Sequence, residues 1–156
     1  MVRASVQQPY PASMRAALTL RAERAELSRL VLFATEFAER GQLPAEELSR
    51  LLLILDELFS NVVRHGYDGA AANGTIEVAL SVARGRLGVE ILDDGRPFDP
   101  LTAPSPDLDL PAPERQPGGL GIHFVRELVD EARYVRRGKR NRLTLSRRIA
   151  GTRKLE

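Results

Sequence analysis

The stretch Leu51–Tyr67, LLLILDELFSNVVRHGY, limits the possible folds more than any other part of the chain. It reads as a long helix that is apolar around most of its girth, with one narrow polar stripe. At about 100° per residue, Asn61 lies about 40° from Glu57 and Arg64 about 20° from it. Leu48, Leu51, Leu55, Phe59 and Val62 fall on the far side. A helix this apolar is buried. A carboxylate and an amide one turn apart on it must face a cavity, a ligand or solvent. Taken alone, the segment leaves two readings open. Glu57 and Asn61 are either the solvent edge of a core helix or part of a site.

A chain of 156 residues suits one domain with one sizeable core. It has no cysteine, which excludes disulfides, thiolate chemistry and cysteine metal sites. Two histidines do not make a His-rich metal site. The opening residues, MVRASVQQPYPAS, lack the apolar core of a secretory signal. No apolar run approaches the roughly 20 residues needed to span a bilayer. The expected location is the cytoplasm, with no membrane partner. The net charge of +2 is unevenly spread, since Ala132 to Leu155 holds no acidic residue. Its run RRGKRNR reads as the solvated tip of a hairpin, with Tyr134 the one aromatic nearby. A nucleic-acid surface interleaves its cations with aromatic platforms. No direct nucleic-acid partner is therefore expected.

Residues 1–13 are expected to be a loose arm, and Met14–Arg21 an edge strand. Arg24–Arg40 has helical period, with Leu27, Leu30, Val31, Ala34 and Phe37 in one stripe. Gly41 ends it. Pro44 then opens the long helix where its missing N–H does no harm, and Glu46 and Glu47 suit the positive end of the dipole. Thr75–Ala83 alternates, with Ile76, Val78, Leu80 and Val82 on one face. After the turn Arg84-Gly85-Arg86, Leu87, Val89 and Ile91 alternate again. The pair reads as an antiparallel hairpin with one buried face. One further step of two puts Asp93 on that face, where a carboxylate needs a partner. Asp94 is the rival for any role there, but alternation favours Asp93.

Residues 93–117 hold seven of the ten prolines. So long a structureless stretch in a small domain is a functional loop or a disordered insertion. It ends in Gly118-Gly119-Leu120-Gly121 and runs into a helical stripe of Ile122, Val125, Leu128 and Val129. Glycines at a helix start allow close backbone approach, and the free N–H groups there attract anions. Ala132–Arg137 and Asn141–Ile149 read as two last strands around Gly138.

In order, the chain presents a helical Glu-x-x-x-Asn, a strand ending in Asp-x-Gly, a long loop and a glycine-rich helix start. The stretches LDELFSNVVRHGY, ILDDGRPFDP and GGLGIHFVRELVDE resemble the motifs of the GHKL superfamily of ATP-binding domains. The compact form is similar to the anti-sigma-factor serine/threonine kinases of the RsbW and SpoIIAB type. The resemblance covers nearly the whole chain. It implies an α+β fold, a two-layer α/β sandwich of the Bergerat type, with a mostly antiparallel sheet and helices on one face. Residues 14–150 would form one ATP-binding kinase domain with a lid at about 94–117, and 151–156 a tail.

The resemblance also implies ATP and Mg²⁺ as cofactors and assigns roles. Asn61 is the metal ligand, since Mg²⁺ prefers hard oxygens. Glu57 is the catalytic base. Asp93 takes a hydrogen bond from the adenine amine, and Gly95 leaves room for the base. The N–H groups of Gly118, Gly119, Leu120 and Gly121 hold phosphate oxygens. Thr144 either plays a minor part near the adenine or is an ordinary strand threonine. The pattern Asp-x-Gly-x-Gly departs from the family here, reading Asp93-Asp94-Gly95-Arg96-Pro97. Arg64, Arg96 and Arg115 are candidate cations for the γ-phosphate, and His65 and His123 are read as structural. The implied partners are a sigma factor, a small STAS-type anti-anti-sigma protein phosphorylated on Ser or Thr, and a second copy of the chain. A rival function is a binding module that holds ATP as a switch without phosphoryl transfer. A histidine-kinase fragment is a third reading, disfavoured because no helix pair with an acceptor histidine precedes the domain.

Overall fold

A computed structural model describes residues 11–67, 73–102, 107–111, 113 and 120–149. Five strands form one antiparallel sheet: β1 (Ser13–Arg21), β2 (Thr75–Ala83), β3 (Arg86–Asp93), β4 (Glu131–Arg137) and β5 (Arg140–Arg148). Their order across the sheet is β1-β2-β3-β5-β4. Three helices accompany them: α1 (Leu27–Arg40), α2 (Ala45–Gly66) and α3 (Leu120–Leu128). This is the expected two-layer α+β sandwich.

The sheet is built by alternation. Ile76, Val78, Leu80, Val82, Leu87, Val89, Ile91, Leu143 and Leu145 all point to the helical layer and are buried. The β2–β3 turn is tight because Arg84 and Gly85 both take positive φ, at 51° and 71°. That geometry suits a two-residue hairpin matched to the sheet twist. On the helical side, Leu30, Ala34 and Phe37 of α1 meet Leu51, Ile54, Leu55, Leu58 and Phe59 of α2 in the same core.

Two local details differ from the pattern read in the sequence. The first helical turn is a separate 3₁₀ turn, Arg24–Glu26. The Glu26 carboxylate folds back to accept the Arg21 N–H at 3.2 Å and pairs with Arg29 at 2.7 Å. Within α1, Val31 is 40% exposed and Ala38 takes its place in the core. Gly41 ends α1 without a left-handed backbone, since Gln42 carries the positive φ of 53°. A Cβ at 41 would meet Met14 Cε of β1 at 2.8 Å, so a larger residue there has to displace that flexible side-chain end.

Glu47, read from the sequence as matching the helix dipole, is fully buried. It pairs with Arg147 Nε of β5 at 3.0 Å and Arg50 at 2.9 Å. Arg147 also donates to the Leu128 carbonyl at the end of α3. One carboxylate thus joins the start of α2, the end of α3 and the sheet. The opposite end of α2 carries the candidate site.

Candidate active site

α2 lies with Leu51, Ile54, Leu55, Leu58 and Phe59 in the core, which leaves Glu57 and Asn61 half-buried on its flank. That flank faces α3. The Glu57 carboxylate rests on the backbone of Gly121, so closely that a Cβ built there would lie 1.8 Å from Glu57 Oε2. Only a glycine lets α3 approach the carboxylate this way. One turn on, Asn61 lines a cavity between α2 and the ends of β3 and β5. Asn61 Nδ2 is buried and has no hydrogen-bond partner among the described residues. A buried amide group without a protein partner is a place where a water, an ion or a ligand completes the bonding.

Asp93 lines the same cavity and is 5% exposed. Its Oδ1 accepts the Gly95 N–H at 2.9 Å and Asn141 Nδ2 at 2.8 Å. Both bonds go to one oxygen, which leaves Oδ2 to accept from the cavity. Burial pushes the Asp93 carboxyl above its usual range, against the pull of those two donors. The neighbouring Asp94 raises it further, while Arg136 lowers it. Asp94 itself turns away. It accepts Tyr67 Oη at 2.5 Å and the Thr75 N–H at 3.1 Å, fastening the end of α2 to the start of β2. The Tyr67 hydrogen bond holds the Asp94 carboxyl below its usual range. The Tyr67 hydroxyl is shifted upward, by burial first and then by Asp94. Of the two aspartates, Asp93 is the one at the cavity.

Gly95 also has a packing reason, beside the room for a base expected of it. A Cβ on Gly95 would meet the Gly66 carbonyl oxygen at 2.7 Å and Gly66 Cα at 2.9 Å. Gly95 is bare so that the loop can lie on the last turn of α2, and the Arg96 N–H bonds the Gly66 carbonyl at 2.8 Å. Of the two readings of Thr144, the geometry favours the ordinary strand threonine. Its register, opposite Glu90 on β3 and Arg133 on β4, puts it on the open face of the sheet, where it is exposed. The polar β5 residue at the cavity is Asn141, directly opposite Asp93. Alternation could have found it, because Asn141, Leu143 and Leu145 share one face.

Leu120 and Gly121 open α3, while Gly118 and Gly119 lie outside the described residues, as does Arg115. Parts of the expected lid, 103–106, 112 and 114–117, lie outside them too, as does the expected tail. The described part of the loop includes a 3₁₀ turn, Pro100–Thr102. At its root Phe98 stacks on His65, with ring centroids 4.5 Å apart and planes at 20°. That contact gives His65 a packing role. Burial, then Arg64, lowers its pKa.

The cavity has apolar walls, including Leu58, Val62, Ile91 and Leu143, with Asp93 and Asn61 as convergent polar groups. The composition of these walls suits a flat, partly polar ligand such as a nucleobase, but the cavity as it stands is about 20 Å³, room for one water, so a base enters only if the surrounding residues move apart. An amide can turn its oxygen to a hard cation, so Asn61 fits a Mg²⁺ ligand. Glu57 can accept a proton beside them.

The match to the histidine kinase-like ATPase domain spans residues 20–147, and the chain belongs to that family. It is 33% identical over 96 residues to the serine/threonine-protein kinase BtrW of Bordetella bronchiseptica, covering 62% of this chain and 67% of that protein. It is 31% identical over 97 residues to the serine-protein kinase RsbW of Bacillus subtilis, covering 56% of this chain and 57% of RsbW. Relatives from Bacillus thuringiensis and its kin, 24% identical over 90 residues, carry the name anti-sigma F factor. The chain thus spans between about half and two thirds of the curated relatives it matches. The RsbU and RsbW domains of a Mycobacterium tuberculosis protein share the fold, with a TM-score of 0.63 and 20% identity over 87% of this chain and 32% of that one. The described helices include none long and apolar enough to cross a membrane.

Proposed function

We propose that the chain is an ATP-dependent protein serine/threonine kinase and anti-sigma factor. It sequesters a sigma factor, phosphorylates a small STAS-type anti-anti-sigma protein, and works as a homodimer in the cytoplasm. The observation that carries the reading is the orphaned amide of Asn61, one turn from Glu57 and in one cavity with Asp93. The printed names of the relatives, serine/threonine-protein kinase and anti-sigma F factor, support the choice of acceptor and partner.

In this reading Asp93 Oδ2 accepts the adenine amine. Asn61 holds the magnesium ion, which supplies charge neutralisation on the triphosphate. The backbone at Leu120 and Gly121 lies beside the phosphates, and Glu57 accepts the proton of the incoming hydroxyl. Phosphoryl transfer depends mainly on positioning and charge stabilisation, so these few groups suffice.

The test is a transfer assay with labelled ATP, the chain and a STAS-type acceptor. Glu57→Ala should lower transfer by about 10²–10⁴, the usual range for a general base. ATP affinity should stay near wild type in calorimetry. Wild-type transfer rates in the mutant would remove Glu57 from the chemistry. A wild type that binds ATP and partners but transfers no phosphate would favour the switch module.

A further inference from the structure

Asn141 has every hydrogen-bonding valence engaged. Its Nδ2 donates to Asp93 Oδ1 at 2.8 Å and to the Arg96 carbonyl at 2.8 Å, with a longer contact of 3.4 Å to the Gly95 carbonyl. Its Oδ1 accepts Tyr134 Oη at 2.6 Å and Arg136 Nη1 at 2.9 Å. An amide has two N–H donors and two oxygen lone pairs, so the set is complete. The orientation of the amide is also forced. A guanidinium can only donate and a carbonyl can only accept, so the reversed amide would set donor against donor and acceptor against acceptor. Arg136 Nη1 bonds the Gly95 carbonyl as well, at 2.9 Å, closing the ring. Asn141 itself is 4% exposed.

This arrangement does two things at once. It fixes the Asp93 carboxylate through Oδ1, which leaves Oδ2 as the oxygen able to accept from a ligand. It also ties the carbonyl of Arg96, whose own N–H is bonded to Gly66, to the last strand. The root of the loop and the carboxylate at the cavity therefore move together.

We propose that Asn141 is the positioning residue of the nucleotide pocket: through one amide it aims Asp93 Oδ2 and anchors the root of the loop at Arg96. The proposal rests on the adenine-nucleotide reading of the cavity. Asn141 needs no contact with the ligand, since none of its polar atoms is left over. A threonine or serine in its place has one hydroxyl proton and can serve Asp93 or Arg96, not both.

The groups facing Asp93 set the expected pH behaviour. They are Arg136 on β4, Asp94 beside Asp93 and Tyr67 at the end of α2, while Tyr134 on β4 and Arg96 in the loop line the same cavity. Losing the Asn141 donor removes an influence that lowers the Asp93 pKa, so the carboxyl should titrate at higher pH.

The experiment uses the full chain with Asn141→Ala, Asn141→Ser and Tyr134→Phe, each first checked for a cooperative melt. Two readouts are taken. The first is the carboxyl titration of Asp93 by ¹³C NMR in the nucleotide-free protein. The second is ATP and GTP affinity by calorimetry across pH. Expected in Asn141→Ala is an upward Asp93 titration, ATP binding weakened at least tenfold, and a smaller preference for ATP over GTP. Asn141→Ser, the milder change, should fall between this variant and wild type. Tyr134→Phe keeps the Asn141–Asp93 bond but removes one of the two donors to Asn141 Oδ1, so it should shift the Asp93 titration less than either Asn141 variant. An unchanged Asp93 titration in both Asn141 variants would overturn the proposal, whatever the nucleotide does. Should Asn141→Ala fail to fold, Asn141→Ser alone decides by the same readouts. A shifted titration in a chain whose wild type binds no adenine nucleotide would uphold the positioning and sink the nucleotide reading instead.

Discussion

Asp93 keeps an ionisable group where burial opposes its charge, and that opposition makes a prediction about stability as well as binding. A carboxyl whose folded pKa is raised holds more protons folded than unfolded in the window between the two values. Stability therefore falls as pH rises from the ordinary carboxylate range through the raised folded value, and the penalty is fully present above it. Asparagine carries no such penalty. Its oxygen can still take the Gly95 and Asn141 donors while its N–H₂ faces the cavity. Asp93→Asn should therefore melt at or above the wild-type temperature at pH 7, and this part of the pH dependence should vanish. Adenine nucleotides, on the proposed reading, should bind at least tenfold more weakly, because donor now meets donor. Thermal melts from pH 4 to 8 beside calorimetry check both. A mutant that is less stable yet binds ATP normally would show the carboxylate to be structural. Asp93 was legible in the sequence because a charge on an alternating apolar face stands out. In the sequence Asn141 is only the first residue of the last strand, and nothing on that strand shows what its amide bonds. Its partners, Tyr134 and Arg136, become visible only when β4 is laid beside β5.

At the scale of elements, Gly121 separates folding from chemistry. Alanine inside a helix is favoured over glycine by about 1 kcal/mol. The atom in the way of its Cβ is the end of a flexible side chain, Glu57 Oε2. Gly121→Ala should therefore leave stability within about 1 kcal/mol of wild type in urea titration. It should displace the Glu57 carboxylate and cut phosphate transfer toward the level of Glu57→Ala. Normal transfer in Gly121→Ala would show that Glu57 works from another position. The complementary element test is at the far end of α2. Glu47→Ala leaves Arg147 and Arg50 without their buried partner, and removing one member of a buried pair costs about 3–5 kcal/mol. Urea unfolding should show that loss, with ATP affinity unchanged in whatever fraction stays folded. The five strands and three helices were readable from period and turn residues, because all but β4, which has no buried residue, bury one face. The burial of Glu47 was not readable. A glutamate in a first helical turn is ordinary, and its partner lies 100 residues away in the chain.

For the whole molecule, the cavity lies between the layers, with α2 on one side and the ends of β3 and β5 on the other. A ligand there touches both layers and should stabilise the fold as a unit. A ligand at a hundred times its dissociation constant adds about 2.7 kcal/mol. For a domain of this size each kcal/mol raises the melting temperature by about 2–4 °C, so saturating Mg-ATP should raise it by about 5–10 °C. The share owed to the metal runs through Asn61, whose amide has no partner within the described protein. Asn61→Ala should melt near wild type without ligand, since no protein hydrogen bond is lost at Nδ2. With ATP it should show the same small shift whether Mg²⁺ or EDTA is present. The wild type should lose most of its shift when EDTA replaces Mg²⁺. Scanning fluorimetry of the four combinations checks this directly. Equal shifts in wild type and mutant under both conditions would place the metal elsewhere and return Asn61 to the edge of a core helix.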